Sequence, residues 1–362
     1  MSEVTKKQKY DMKEILASYF DEISPHLSHV IPETFTAELM NKMYGEARYE
    51  YDCEAITKAI SEPVWEILNR GGKRWRPVLL LLTAEALGKK PADVIDLVAI
   101  CEIVHNGTLL IDDIEDDSEL RRGKKAIHLM YGVDIAVNAG NAMYFLPLLV
   151  LKERREKLDP QVLLQCYEVY SQEMINLHFG QGMDIWWHSG KGNDPNAQQY
   201  LQMCAFKTGT LARLSAKIAA LVCGADAATV NAIGKFAESI GVAFQIQDDI
   251  LNIDGELFGE LKGVGEDIHE GKRTLMALHS MATAPPEKAA RLKEILNSHP
   301  TDQKIIKEAI DIIKSTDSIT HARAKAKEIV QGAWADVSNV LPESEAKLKL
   351  KSFADYLIER SI

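Results

Sequence analysis

Apolar residues recur three and four apart along almost the whole chain, the spacing of a helical face, and no β-type alternation survives a pass along it. The pattern predicts helices over 10–30 and 35–48, broken around Pro32, then over 50–69, 78–87 and 93–118. A further apolar segment, 134–155, is interrupted at Pro147, which lacks a backbone donor and so kinks or ends a helix. Helices follow over 161–187, 196–224 and 227–253, and shorter amphipathic ones from Pro286 onward, the last beginning near Pro342. Residues 1–48 carry no chemical cluster and read as an N-terminal helical extension packed on a domain of 49–362. The expected fold is all-α: a single large helical bundle of about a dozen helices around a central cavity.

Charge changes this picture at two helix ends. The stretch HNGTLLIDDIEDDSELRRG, 105–123, puts five acidic residues into six positions directly after an apolar run. On a helix Asp112 and Asp116 lie one turn apart on the same face, where like charges repel unless a cation sits between them. FQIQDDILN repeats the arrangement: Asp248 and Asn252 are four apart, Asp249 is adjacent and Gln245 lies one turn earlier. Basic residues stand in three places. Lys73, Arg74 and Arg76 follow the Gly71–Gly72 turn and can converge on an anion, and Arg121 and Arg122 close the first acidic stretch. Between Asp254 and Lys272 five glycines accompany Lys262 and Lys272, the composition of a mobile cationic lid. Hard carboxylate oxygens beside arginines and lysines suit Mg²⁺ bridging to a diphosphate. Zinc ligand spacing, an EF-hand, a P-loop and a Ser-His-Asp arrangement are all absent.

The 362 residues can bury a large core, and a net charge of −11 leaves no basic stripe for nucleic acid. The N-terminal residues hold no apolar core of a signal peptide, and no run of eighteen apolar residues predicts a transmembrane span. Five cysteines without C-x-x-C spacing read as reduced thiols, the expectation for a cytoplasmic protein.

Six segments in this order (GGKRWRP, DDIEDDSELRRG, KTG at 207–209, FQIQDDILN, GEDIHEGK and LPESEAKLKL) resemble the trans-isoprenyl diphosphate synthases, the polyprenyl synthase family, over nearly all of 50–360. VHNGTLLIDDIEDDSELRRG is most similar to eukaryotic-type geranylgeranyl diphosphate synthases. The resemblance implies the isoprenoid synthase fold, a homodimer, two or three Mg²⁺ ions, and isopentenyl and allylic diphosphates as substrates. It implies Asp112, Asp116 and Asp248 as metal ligands. Arg121, Lys207, Lys262 and Lys272 would contact the allylic diphosphate. Gly72, Lys73, Arg76, His105 and Arg122 would hold isopentenyl diphosphate, and Thr208 and Gln245, with Lys207, would line the reacting centre. Asn252 departs from the commoner final aspartate of the second motif.

The implied reaction is head-to-tail prenyl transfer to geranylgeranyl diphosphate. Farnesyl or longer-chain synthesis, a class I terpene cyclase and a non-catalytic regulatory subunit are the alternatives. Thr108 and Gly107 lie four and five residues before Asp112, about 5–7 Å down the helix. Both are small, so the channel is expected to pass them and to admit products longer than farnesyl. Gly107→Phe is expected to shorten the product, and Tyr144, Phe145, Met174 and His178 are candidates for the floor.

Overall fold

The computed structural model describes residues 10–254 and 265–359, most of them helical. Helices α1 (Met12–Ser18), α2 (Phe20–Val30) and α3 (Ala37–Tyr44) lead to α4 (Cys53–Ile56), a π-helical turn (Thr57–Ser61) and α5 (Glu62–Leu68). Next come α6 (Trp75–Ala86), α7 (Val98–Glu115), α8 (Ile127–Tyr131), α9 (Val133–Phe145), α10 (Leu148–Glu153) and α11 (Pro160–His188). Then α12 (Ala197–Cys204) runs through a second π-helical turn (Ala205–Gly209) into α13 (Thr210–Val222), and α14 (Ala227–Asp254) follows. The C-terminal part holds α15 (Glu266–His269), α16 (Leu275–Thr283), α17 (Pro286–Ser298), α18 (Gln303–Lys314), α19 (Ser318–Val337) and α20 (Glu345–Glu359).

A helix that is apolar all round has to be enclosed by others. α6 is such a helix: Val78 to Leu82 are buried one after another. It packs against α7, α13 and α20, while α14 lies between α13 and α19. One hydrophobic cluster extends from Met12 to Leu357 and takes in Ile23, Leu27 and Val30 of α2, so the first helices are built into the core. Arg74 helps to anchor them. It has positive φ, its guanidinium lies 3.9 Å from the Phe20 ring centroid, and it donates to the Phe20 carbonyl at 3.1 Å and to Ser24 Oγ at 2.8 Å. Arg74 therefore turns away from any anion shared with Lys73 and Arg76, contrary to the sequence expectation.

Two departures from straight helices matter below. Residues 196–224 form two α-helices joined through a π turn, and 93–118 begins as two 3₁₀ turns before α7. The acidic stretch also ends in a small antiparallel hairpin, β1 (Leu120–Arg121) with β2 (Lys124–Lys125). Arg122 and Gly123 have positive φ of 54° and 75°, as a type I′ connection demands. The stretch Val133–Glu156 is apolar enough, at mean hydropathy 1.4, to cross a membrane by length and composition. Pro147 divides it, and α9 packs along α7.

Candidate active site

The last turn of α7 carries the first acidic wall. Asp112 Oδ1 lies 3.2 Å from Lys207 Nζ and accepts from Gln181 Nε2 at 2.9 Å, while Asp112 Oδ2 is 3.7 Å from Arg121 Nη2. Arg121 also uses its Nε on Asp113 Oδ1 at 2.7 Å, so the hairpin is tied most closely to the residue beside Asp112. Burial alone would raise the Asp112 carboxyl; Lys207, then Lys272 and Arg121, hold it well below the usual carboxylate range. Asp116 caps the helix with less cationic help. Burial pushes its carboxyl up to about 7, against the pull of Lys272 at 3.6 Å.

Lys207 stands on the π turn, an irregularity frequent at functional sites. Its ammonium is 2.6 Å from Asp184 Oδ2 on α11, and Asp112 and Asp184 lift its pKa well above the ordinary value despite burial. Gly180, one turn before Asp184, permits this approach: a Cβ there would lie 2.3 Å from the Lys207 backbone nitrogen. The Gln181 and Asp184 of GQGMD thus belong to the site. The sequence reading names neither of them among the site residues, although a carboxylate amid buried neighbours is itself a signal.

The second wall is the C-terminal part of α14. Thr208 Oγ1 donates to Gln245 Oε1 at 2.8 Å, and Gln245 Nε2 donates to Asp249 Oδ1 at 2.8 Å. Asp248 is half-buried and lies within the electrostatic reach of Arg76 and Asp249. Asn252 Oδ1 accepts from the Asp267 backbone at 3.2 Å, and its carbonyl accepts from Gly265 at 3.1 Å. Asn252 therefore fastens α15 to the wall through oxygen acceptors.

Lys272 brings the two walls together. It lies near Asp116, pairs with Glu270 and sits 4.0 Å from Asp267; burial pushes the Asp249 carboxyl up to about 6, and Lys272 is among the groups that oppose that rise. Lys262 lies outside the described residues. The neighbouring Arg273 is buried and donates to Asp194 Oδ1 at 3.0 Å, to Asn297 Oδ1 and to the Gly271 carbonyl, which fixes the backbone that presents Lys272.

A separate cationic cluster lies behind the first wall. Arg122 donates to the Gly71 carbonyl and presses on Gly72, whose Cβ would meet the guanidinium at 2.8 Å. Arg76 is buried over the Trp75 ring at 4.4 Å, and burial pushes its pKa down to about 10. The buried Glu102 of α7 offsets the charge of Arg74, Arg76 and Arg122. Burial, then Arg76, Arg122 and Arg121, hold the His105 pKa well below its ordinary value, so the ring is neutral and donates one N–H. Lys73 is exposed at the mouth of this cluster.

The carboxylates fit Mg²⁺. Asp116 Oδ1 is buried with no hydrogen-bond partner among the described residues. No three His, Cys, Asp or Glu side chains there form a closed cage. Mg²⁺ needs none, since it binds through one or two carboxylates and takes water and phosphate oxygens for the rest.

Residues 57–313, which carry both acidic walls and the second cationic cluster, match polyprenyl synthetase. The chain belongs to the polyprenyl synthetase family. The chain is 36% identical over 291 residues to a geranylgeranyl pyrophosphate synthase of Apiospora sacchari, covering 80% of this chain and 83% of the other. The crystal structure of geranylgeranyl pyrophosphate synthetase from Pyrococcus horikoshii superposes with a TM-score of 0.82 at 28% identity, over 97% of this chain and 100% of that one. A Corynebacterium glutamicum geranylgeranyl pyrophosphate synthase, solved with isoprenyl diphosphate and magnesium, shares the fold with a TM-score of 0.80 at 21% identity, over 97% of this chain and 100% of that one. The chain is an all-α trans-prenyltransferase, as the six sequence segments imply.

Proposed function

We propose that this enzyme condenses isopentenyl diphosphate with allylic diphosphates, head to tail, to make geranylgeranyl diphosphate. The observation that supports it most is the pairing of two anion sites, one at Asp112, Lys207 and Lys272 and one at Arg76, Arg122 and His105. A terpene cyclase ionises one diphosphate and has no use for the second site. A regulatory subunit has no need of either acidic wall, and this chain keeps both.

In the proposed reaction Arg121, Lys207 and Lys272 grip the allylic diphosphate, while Lys73, Arg76 and Arg122 hold isopentenyl diphosphate with an N–H from neutral His105. Asp112, Asp116 and Asp248 would hold two or three Mg²⁺, which neutralise charge on the departing diphosphate. Thr208 and Gln245 present oxygen dipoles to the cationic centre that ionisation creates. Attack by the isopentenyl double bond and loss of a proton then lengthen the chain by one unit. Apolar walls exclude the water that would quench the cation.

A second copy of the chain is the proposed partner. Val133, Val137 and Phe145 of α9 and Ile175, Phe179 and Trp186 of α11 are exposed in the single chain, and a second copy would cover them. Sedimentation should give twice the chain mass. The free thiols favour a reducing compartment, and we place the enzyme in the cytoplasm, which cell fractionation tests.

Purified protein given Mg²⁺, labelled isopentenyl diphosphate and each allylic primer should release mainly the geranylgeranyl product after dephosphorylation. Failure to incorporate label with any primer would sink the reading. Arg273→Ala, which frees the backbone behind Lys272, is expected to raise KM for the allylic primer about tenfold and to leave KM for isopentenyl diphosphate within about twofold. Equal changes in both constants would mean that Lys272 is not positioned in this way.

A further inference from the structure

A chain of hydrogen bonds leads from the reacting centre to a residue that touches no substrate. Tyr200 of α12 is 1% exposed, and its hydroxyl donates to Asp249 Oδ2 at 2.6 Å. Asp249, 5% exposed, accepts on its other oxygen from Gln245 Nε2 at 2.8 Å. Gln245 Oε1 in turn accepts from Thr208 Oγ1 at 2.8 Å.

The direction of this chain is forced. A carboxylate only accepts, so Asp249 obliges Gln245 to turn its NH₂ group toward it. The Gln245 carbonyl then faces Thr208, whose single hydroxyl proton is committed to that carbonyl. Both lone pairs of Thr208 Oγ1 are left for the cavity, where cationic character develops. With its amide reversed, Gln245 would donate to Thr208 and take one of those lone pairs.

We propose that Tyr200 is a positioning residue that holds Asp249 in place and through it fixes the Gln245 amide and the Thr208 hydroxyl for catalysis. Three separate elements meet here, α12, the π turn and α14. A fully buried phenol aimed at a carboxylate suits such a brace, since a hydrogen bond to a charged group contributes more than one between neutral groups. Cys204, one turn along α12, shares this surrounding, but its thiol is a weak donor and cannot take the place of the hydroxyl. The proposal rests on the prenyl transfer reading above.

The test is a double-mutant cycle. Tyr200→Phe keeps the ring and removes only the hydroxyl. It is expected to lower kcat about tenfold, with KM for both diphosphates within about twofold. In a Gln245→Ala background, where no amide remains to be oriented, the same substitution is expected to change kcat by less than about twofold. An equal loss in both backgrounds would overturn the proposal, because a merely structural phenol costs the same with or without Gln245. So would full activity of Tyr200→Phe. If Tyr200→Phe melts too early to assay, Asp249→Asn enters the cycle instead, with the same two outcomes. Label incorporation by the unsubstituted enzyme separates the two failures. An inactive parent overturns prenyl transfer and this proposal together, whereas an active parent with additive losses overturns only the Tyr200 link.

Discussion

Replacing Asp112 with asparagine is expected to lower kcat by at least about a thousandfold. Asp112 is held by Lys207 at 3.2 Å, by Gln181 at 2.9 Å and by Arg121 at 3.7 Å, and it is the one acidic residue of the wall that all three reach. Asparagine keeps the size but removes the charge that the metal and these cations share. Stability falls as well, because removing one partner of a buried ion pair strands the other. Lys207 keeps Asp184 at 2.6 Å, so the loss should be about 2 kcal/mol, a drop in Tm of several degrees. Asp112 has a folded-state pKa below its unfolded one. It therefore contributes stability that is fully present above about pH 4 and is lost progressively as pH falls from there through the depressed folded-state value. The asparagine variant should show a shallower fall of Tm in acid. Asp117→Asn is the control: Asp117 is exposed, outside the helix and at positive φ, which asparagine tolerates, so its kcat should stay within about twofold. Equal effects at 112 and 117 would mean that the wall acts only as surface charge.

Asp112 and Asp116 were legible in the sequence because helical spacing fixes a face without any tertiary information. Helix existence was legible for the same reason, down to the division at Pro147. The π turn was not. Periodicity over 196–224 is that of one helix, whereas the π turn at Ala205–Gly209 lies where the Lys207 backbone packs closely against Gly180. Arg74 was misread because adjacent arginines in a turn look alike until a positive φ sends one of them back to α2. Tyr200 was invisible, since a tyrosine on an apolar face carries no sign that its hydroxyl meets a carboxylate 49 residues away. These residues share one property: their roles come from contacts between helices, which a single-chain pattern does not encode.

Thr108→Phe is expected to shorten the product to farnesyl or below with the fold intact, whereas Gly107→Phe is expected to damage the fold. The sequence treats both positions as small residues below the metal site, but the structure separates them. Gly107 is buried against α9: a Cβ alone would lie 2.7 Å from Met143 Cβ and 3.1 Å from the Gly140 carbonyl oxygen. A phenyl ring there must push two helices apart, and overpacking of this kind costs about 3 kcal/mol or more. Loss of product from that variant would report unfolding, not a shorter ruler. Thr108 is half-buried, shares the face of Asp112 one turn down α7, and spends its hydroxyl on the His105 carbonyl at 2.7 Å. A ring at that position can occupy the space below the metal site about 6 Å from Asp112, where a growing chain would pass. Tyr144 packs edge-on against His178 at 5.6 Å and lies beside Gly107, while Phe145 is 70% exposed and faces outward. Product sizing together with a thermal melt of both variants decides the matter. An unchanged product from a folded Thr108→Phe enzyme would place the ruler elsewhere, with Tyr144 and His178 the next residues to replace.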